Sequence, residues 1–257
     1  MEIKNKHVMI TGANRGIGLA FAEACAGEKA HLLLAIRKND LQLVKDLKAK
    51  GAASVTILEA DLATREGVTA LAKKMENHEI DLLFNNAGQL TGGLIETQSL
   101  DDIYKMFQVN VNALVHLSHA VIPQMLKRKR GKIINHASVS AVMHFPCAST
   151  YAASKAAVWA FTDCIQQELK GTGVTTLCLF TPGIKTRMFD EIDRLYTKNI
   201  DIVEDSIPPE EYAKKILNAV KNDLVYLEPA GSTGMAFKVA QHFKGVFNWG
   251  ISQKFKR

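Results

Sequence analysis

His7-Val8-Met9-Ile10-Thr11-Gly12-Ala13-Asn14-Arg15-Gly16-Ile17-Gly18 decides the fold. His7–Ile10 reads as a buried strand, and a helical stretch of about 16–28 follows the glycine loop at once. Glycines in such a loop allow a tight turn and a close approach of backbone to a ligand. The helix N-terminus beyond it offers unpaired N–H groups and a partial positive charge, which suit a diphosphate. No Gly-Lys-Ser/Thr follows, so the loop is not a P-loop. A strand-helix turn without a ligand is the competing reading, and the rest of the chain decides between them.

Working outward, the same alternation recurs. His31–Ala35, Val55–Glu59, Asp81–Asn85, Lys132–Ala137 and Val174–Phe180 are short, rich in Val, Ile and Leu, and bounded by Gly, Asn or Asp. Helical stretches of about 39–50, 64–77, 99–128 and 150–170 lie between them. Pro123 is expected to kink or divide the fourth helix. Strand-helix alternation implies a parallel sheet with helices on both faces. Right-handed crossovers then make it doubly wound, with ligands at the carboxyl ends of the strands. No repeat, linker or composition break marks a boundary, so a single α/β domain over 1–257 is expected. After about residue 183 the alternation loosens. Glu210–Asn222 reads as a helix, Val225–Glu228 as a last strand, and residues 187–208 as a substrate lid. Residues 229–257 form a basic, aromatic tail.

The bulk numbers narrow the class. With 257 residues and 47% hydrophobic content, the chain can bury a large core. No apolar run reaches the roughly 18 residues that a membrane-spanning helix needs. No signal-peptide pattern opens the chain, and the four cysteines lack a Cys-x-x-Cys pair. A cytoplasmic protein with free thiols is expected. The net charge is +6, but Lys238, Lys244, Lys254, Lys256 and Arg257 follow the last acid, Glu228, and leave +1 for everything before them. The basicity belongs to a tail and not to a globular face, which argues against nucleic acid.

The second strand ends Ala35-Ile36-Arg37-Lys38, with no acid where an NAD site usually places one about 20 residues past the loop. A 2′-phosphate needs cations instead, and Arg37 and Arg15 provide them. The reading is therefore NADP(H), set against an ordinary solvated basic turn. Asp61 in Ala60-Asp61-Leu62 either accepts from an adenine amino group or caps a helix over residues 62–65.

Tyr151-Ala152-Ala153-Ser154-Lys155 places a phenol and an ammonium four residues apart on one helical face. A neighbouring ammonium favours phenolate, and a tyrosine brought toward neutrality exchanges protons efficiently. Hydride transfer to a ketone creates an alkoxide, so an acid beside that oxygen is what the chemistry requires. Ser138 ends the fifth strand at the ligand edge of a parallel sheet, where its hydroxyl can hold the substrate oxygen. Asn110 sits in an apolar helix interior and needs a structural or relay role. Thr186, in Pro182-Gly183-Ile184-Lys185-Thr186, is placed to bond a nicotinamide amide.

Together these motifs resemble the short-chain dehydrogenase/reductase family: Thr11-Gly12 with Gly16-Ile17-Gly18, Asp61-Leu62, Asn85-Asn86-Ala87-Gly88, Asn110, Ser138, Tyr151 with Lys155, and Pro182-Gly183. The resemblance covers about residues 5–190, with every motif in order. It implies a Rossmann-type sheet and a tetrad of Asn110, Ser138, Tyr151 and Lys155. In that tetrad Tyr151 is the general acid/base, Ser138 polarises the carbonyl, and Lys155 bonds the nicotinamide ribose and lowers the Tyr151 pKa. Asn110 holds a water in a proton relay. Asn86, Ala87 and Gly88 line the cofactor, Asp61 meets the adenine, and Gly12, Asn14, Arg15, Gly16, Ile17, Gly18, Arg37, Leu62, Pro182, Gly183, Ile184 and Thr186 complete the cofactor site. The Val-Asp-Gly-Gly ending of oxoacyl-carrier-protein reductases is missing, which argues against fatty-acid synthesis and the associated tetramer.

The expected activity is NADPH-dependent interconversion of a carbonyl and an alcohol on a rather apolar small molecule. Leu90, Val142, Met143, Phe145 and Met188 flank the site and supply the apolar character. The alternatives are a catalytically silent NADP-binding sensor or scaffold, and a dehydrogenase of a lipid-like alcohol. Cys147 with His144 lacks an orienting third group, and His116 with His119 lacks metal-ligand company, so no metal is expected. Lys127–Arg130 reads as a solvated turn after a helix. The tail carries apolar residues at helical spacing around Val239, Phe243, Phe247 and Ile251. It either packs on the body or a subunit partner or makes a weak membrane-surface contact. A homodimer or another homo-oligomer is expected.

Overall fold

The computed structural model describes residues 1–196, 199–200 and 206–257. From the glycine loop outward the first half alternates β1 (His7–Thr11), α1 (Gly16–Gly27), β2 (His31–Ile36), α2 (Leu41–Ala49), β3 (Ser54–Glu59), α3 (Arg65–Met75) and β4 (Leu82–Asn85). Then follow α4 (Leu100–Phe107), α5 (Ala113–Arg128), β5 (Gly131–His136), α6 (Ser149–Glu168) and β6 (Val174–Leu179). The last part holds β7 (Gly183–Ile184), α7 (Arg187–Tyr196), β8 (Ser206–Ile207), α8 (Pro209–Lys221), β9 (Tyr226–Leu227), α9 (Gly231–His242) and α10 (Lys244–Ser252).

Seven strands form one sheet in the order β3-β2-β1-β4-β5-β6-β9, and every neighbouring pair is parallel. Strand order reverses between β1 and β4, where a doubly wound sheet opens a crevice at its carboxyl edge. The central strands β1, β2 and β4 are mostly apolar because both faces are covered, whereas the edge strand β3 exposes Thr56 and Glu59. In β1, Val8 and Ile10 join the core under α1, α2 and α8, while Met9 joins the core under α3 and α5. In β2, Leu32, Leu34 and Ile36 alternate with Leu33 and Ala35 in the same way. Phe21 of α1 meets Phe84 of β4 edge to face at 5.1 Å, and both rings are fully buried. Burial of such a ring contributes about 1.5–3 kcal/mol.

Three expectations change. The long helix is not divided at Pro123. α5 runs through it, and the interruption comes earlier, as a π turn at Gln108–Asn112. Pro123 and His119, whose carbonyl loses its helical partner, are both exposed, so water can satisfy that carbonyl. Asp61 does not cap α3; its carboxylate accepts from Ala63 N at 3.0 Å, and Thr64 is the cap, accepting from Gly67 N at 3.0 Å. The loosely patterned stretch after Gly183 contains α7 and a separate parallel pairing of β7 with β8. The rest of the expected lid, 197–198 and 201–205, lies outside the described residues.

The tail folds back on the body as α9 and α10. Phe237 is buried against Phe180 of the β6 end at 5.0 Å, and Phe247 meets Phe145 edge to face at 5.8 Å.

Candidate active site

The glycine loop closes the crevice from one side. Gly12 and Gly16 both have positive φ, at 66° and 55°. A Cβ on Gly12 would stand 3.1 Å from Ala87 Cα, and one on Gly16 would stand 3.3 Å from Thr186 Cγ2. Only hydrogen fits comfortably at these places, so the loops after β1, β4 and β6 touch. Asn86 welds two of them, donating from Nδ2 to the carbonyls of Thr11 at 2.8 Å and Gly12 at 3.2 Å. The Thr11 hydroxyl accepts from the backbone N–H groups of Asn86 and Ala87, each at 2.9 Å.

This cradle fits a dinucleotide diphosphate. α1 opens beside it with no side-chain cap and no acid in its first turn, so its N–H groups face the crevice unclaimed by a side chain. Asn14 and Arg15 are exposed on the rim, Ile17 is half-buried, and Gly18 is buried in the close contact of α1 with the loop. Arg37 and Lys38 leave the end of β2 exposed, and no described ion pair uses them or Arg15. Asp61 is exposed and Leu62 buried just past β3, next to Arg37, since Ala60 N donates to Ile36 O at 3.0 Å. Arg37 and Asp61 thus lie across β1 from Ser138, at the far end of the crevice.

The other end gathers Tyr151, Lys155, Asn110 and Ser138. α6 carries Tyr151 and Lys155, both buried, with the Lys155 ammonium 5.7 Å from the centre of the Tyr151 ring. Lys155 Nζ donates to the carbonyl of His136 at 2.7 Å. Burial lowers its pKa to about 8. A Cβ on Gly88 would stand 3.5 Å from Asn110 Oδ1 and 3.8 Å from Lys155 Nζ, so these three groups share one spot. Ser138 is buried at the head of a single turn, Val139–Ala141, that packs on α6; its oxygen accepts from Ser140 N at 3.1 Å.

Asn110 owes its position to the π turn. There its amide clamps the loop after Gly88, accepting from Gln89 N at 2.8 Å and donating to Gln89 O at 2.9 Å. It also donates to Ser154 Oγ at 3.1 Å, and that hydroxyl donates to Tyr151 O at 2.7 Å. The buried polar residue is thus satisfied within the site, which offsets its desolvation.

Several members were not foreseen. Gln89 gave no signal beyond its type, and Thr11 and Ser154 stood within the motifs without a role of their own. His136 gave one: a histidine inside a buried strand, two residues before Ser138. Its Nδ1 lies 3.2 Å from Asn86 Oδ1, and burial together with the Lys155 charge lowers its pKa to about 3, which keeps the ring neutral. Pro182, Gly183 and Ile184 lead from β6 into β7, and Thr186 ends this path against the glycine loop.

The chain matches the short chain dehydrogenase family over residues 6–196. It belongs to that family. An uncharacterized oxidoreductase of Staphylococcus saprophyticus is 34% identical over 225 residues, covering 85% of this chain and 91% of that one. A fatty acyl-CoA reductase of Acinetobacter baylyi is 31% identical over 225 residues, covering 85% of this chain and 74% of that protein. Among solved structures, the L-sorbose reductase of Gluconobacter frateurii, complexed with NADPH and L-sorbose, is 27% identical with a TM-score of 0.73. That superposition covers 85% of this chain and 91% of the other. As a short-chain dehydrogenase, the chain is an oxidoreductase built on a single Rossmann-type domain.

The roof of the site is apolar. Leu90, Val142, Met143 and Phe145 form one cluster with Leu195 of α7, Ile200, and Phe247, Ile251 and Phe255 of the tail. Met188 is half-buried on α7 outside that cluster. The chain end is tied down on both sides of the roof. Lys256 N donates to Asn199 O at 2.7 Å, and Arg257 pairs with Glu96 at 2.7 Å.

Proposed function

We propose that this short-chain dehydrogenase is an NADPH-dependent reductase of an apolar ketone or aldehyde, with Tyr151 as the general acid/base. One observation carries the reading. Lys155 is buried without a carboxylate among the described residues, beside the Tyr151 ring, Asn110 and Gly88. A buried ammonium kept without a counter-charge is costly, and it makes chemical sense where a phenolate or a ligand shares its charge.

The glycine loop and the N-terminus of α1 would hold the diphosphate. Arg15 and Arg37 would hold the 2′-phosphate, Asp61 the adenine, and Lys155 and Thr186 the nicotinamide end. When bound, the nicotinamide supplies or accepts a hydride. The chain's own residues manage the proton. Tyr151 donates from its hydroxyl to the substrate oxygen as charge grows there, and takes the proton back in the reverse direction. The Ser138 hydroxyl holds the same oxygen. The Lys155 ammonium favours the phenolate form of Tyr151. Asn110 acts through the Gln89 backbone that it clamps and keeps the Gly88 loop beside Lys155. The apolar roof excludes water and favours an alkyl or acyl chain next to the carbonyl.

The fatty acyl-CoA reductase relative supports the apolar substrate class, and the NADPH complex of the sorbose reductase supports the cofactor. The test is NADPH and NADH oxidation with a ladder of aliphatic ketones and aldehydes. Arg37→Asp should raise the KM for NADPH about thirtyfold and leave NADH within a few-fold. Equal losses for both cofactors would remove the 2′-phosphate role. Tight NADPH binding without turnover of any carbonyl would favour the silent sensor.

A further inference from the structure

The tail has two sides, and the body uses one. Inward, Phe237, Phe247, Ile251 and Phe255 enter the apolar cluster that roofs the site. Outward, α10 and the residue before it present Phe243, Val246 and Trp249, which are 64%, 60% and 68% exposed. A spacing of three residues puts them along one flank of a helix. Met235 on α9 is 73% exposed as well. Four large apolar side chains left in water within fifteen residues mark a surface that meets something apolar.

Charge says what that partner is. Lys238, Lys244, Lys254 and Lys256 are exposed and enter no ion pair among the described residues. No Asp or Glu follows Glu228 to balance them. A second copy docked symmetrically on this face would set the same cations against each other. An anionic lipid surface offers both complements, phosphates for the lysines and an apolar layer just beneath.

We infer that the outer face of α9 and α10 docks on the surface of an anionic bilayer. Phe243, Val246 and Trp249 enter the headgroup boundary, and the lysines lie among the phosphates. The contact is interfacial, since no helix among the described residues is long and apolar enough to cross a membrane. It does not depend on the catalytic reading, because none of these side chains belongs to the site.

The test is co-sedimentation of the full chain with vesicles of phosphatidylglycerol and phosphatidylcholine in equal parts, against pure phosphatidylcholine, with tryptophan emission read in parallel. Trp159 is half-buried against Phe180 at 5.4 Å, so a blue shift on adding vesicles reports Trp249. Binding to the anionic vesicles alone, weakened by salt, is expected. Lys244→Gln with Lys254→Gln should lower partitioning about thirtyfold. Phe243→Ser with Val246→Ser and Trp249→Ser should abolish it while turnover of a water-soluble carbonyl stays unchanged. Absence of binding to either vesicle overturns the proposal. So does binding that survives the triple serine variant, which would be simple adsorption of cations. A wild-type dimer that the triple variant splits, with no vesicle binding, would show that a second copy covers the face.

Discussion

Two lysines are buried at opposite ends of the same sheet, and they are treated differently. Lys132 lies at the amino-terminal end of β5, fully buried, with its ammonium 2.6 Å from the Asp223 carboxylate and 3.0 Å from the Thr175 hydroxyl. Lys155 lies at the carboxyl end and meets the backbone carbonyl of His136 at 2.7 Å. Burial lowers the pKa of both, and the Asp223 contact opposes this only at Lys132. A paired lysine locks β5 and β6 to the turn after α8. An unpaired one keeps its charge available to a ligand. Under the proposed function the same residue type is structural at one end and functional at the other, and the counter-charge makes the difference.

The sharpest break between the ends is expected from Tyr151→Phe. Turnover should fall about a thousandfold. The melting temperature should hardly move, and a rate near wild type would remove the acid assigned here. At the other end Asp223→Asn should do the reverse. It strands Lys132 at a cost of about 2–3 kcal/mol, lowering the midpoint of thermal unfolding by about 5–10 °C. Asn tolerates the left-handed backbone at this position, where φ is 52°. The rate per folded molecule should be unchanged; a large loss of kcat would mean that the two ends are coupled.

Phe247→Ala tests how far the carboxyl end extends into the tail. Its ring packs on Phe145, so the KM for long-chain carbonyls should rise about tenfold, and the Kd for NADPH should not. An equal rise for short and long substrates would show that the roof does not read chain length.

The smallest effect is a pH dependence. The Lys155 pKa of about 8 lies below the ordinary lysine value of 10.5, so the cofactor-free protein loses this charge as pH rises through 8. An anionic cofactor favours the charged form and raises the pKa in the complex. Affinity is therefore full below pH 8 and declines above it. The Kd for NADPH should rise about fivefold between pH 7 and 9. Lys155→Ala should flatten the profile, and an unchanged slope in that variant would assign it elsewhere.

The doubly wound sheet was legible because a strand buried on both faces reads as an unbroken apolar run, as residues 8–10 of β1, 32–36 of β2 and 82–84 of β4 do. Tyr151, Lys155 and Ser138 were legible because each falls at a strand end or on a helix face that topology sends to one edge. Asn110 was legible as a misplaced polar residue, but the π turn that seats it was not; one residue inserted in a helix leaves no compositional mark, whereas Pro123 leaves a misleading one. The tail's inner and outer faces were unresolved for a different reason. Helical spacing reports apolar residues and not which of them another element has already covered.

That π turn has a further consequence for how the chain tolerates changes in length. A regular helix advances about 100° per residue, so adding or losing a residue rotates everything beyond it. Between α4 and α5 such a slip has already been absorbed: Met106 of α4 stays buried before it, and Leu114, Leu117 and Val121 of α5 stay buried after it. Deleting Val111 would re-phase one helix against the other without breaking either. It would swing Asn110 off the Gln89 backbone and turn the buried Met106 relative to α5. Gln108–Asn112 is a built-in phase offset, and it lies where Asn110 reaches the Gln89 backbone.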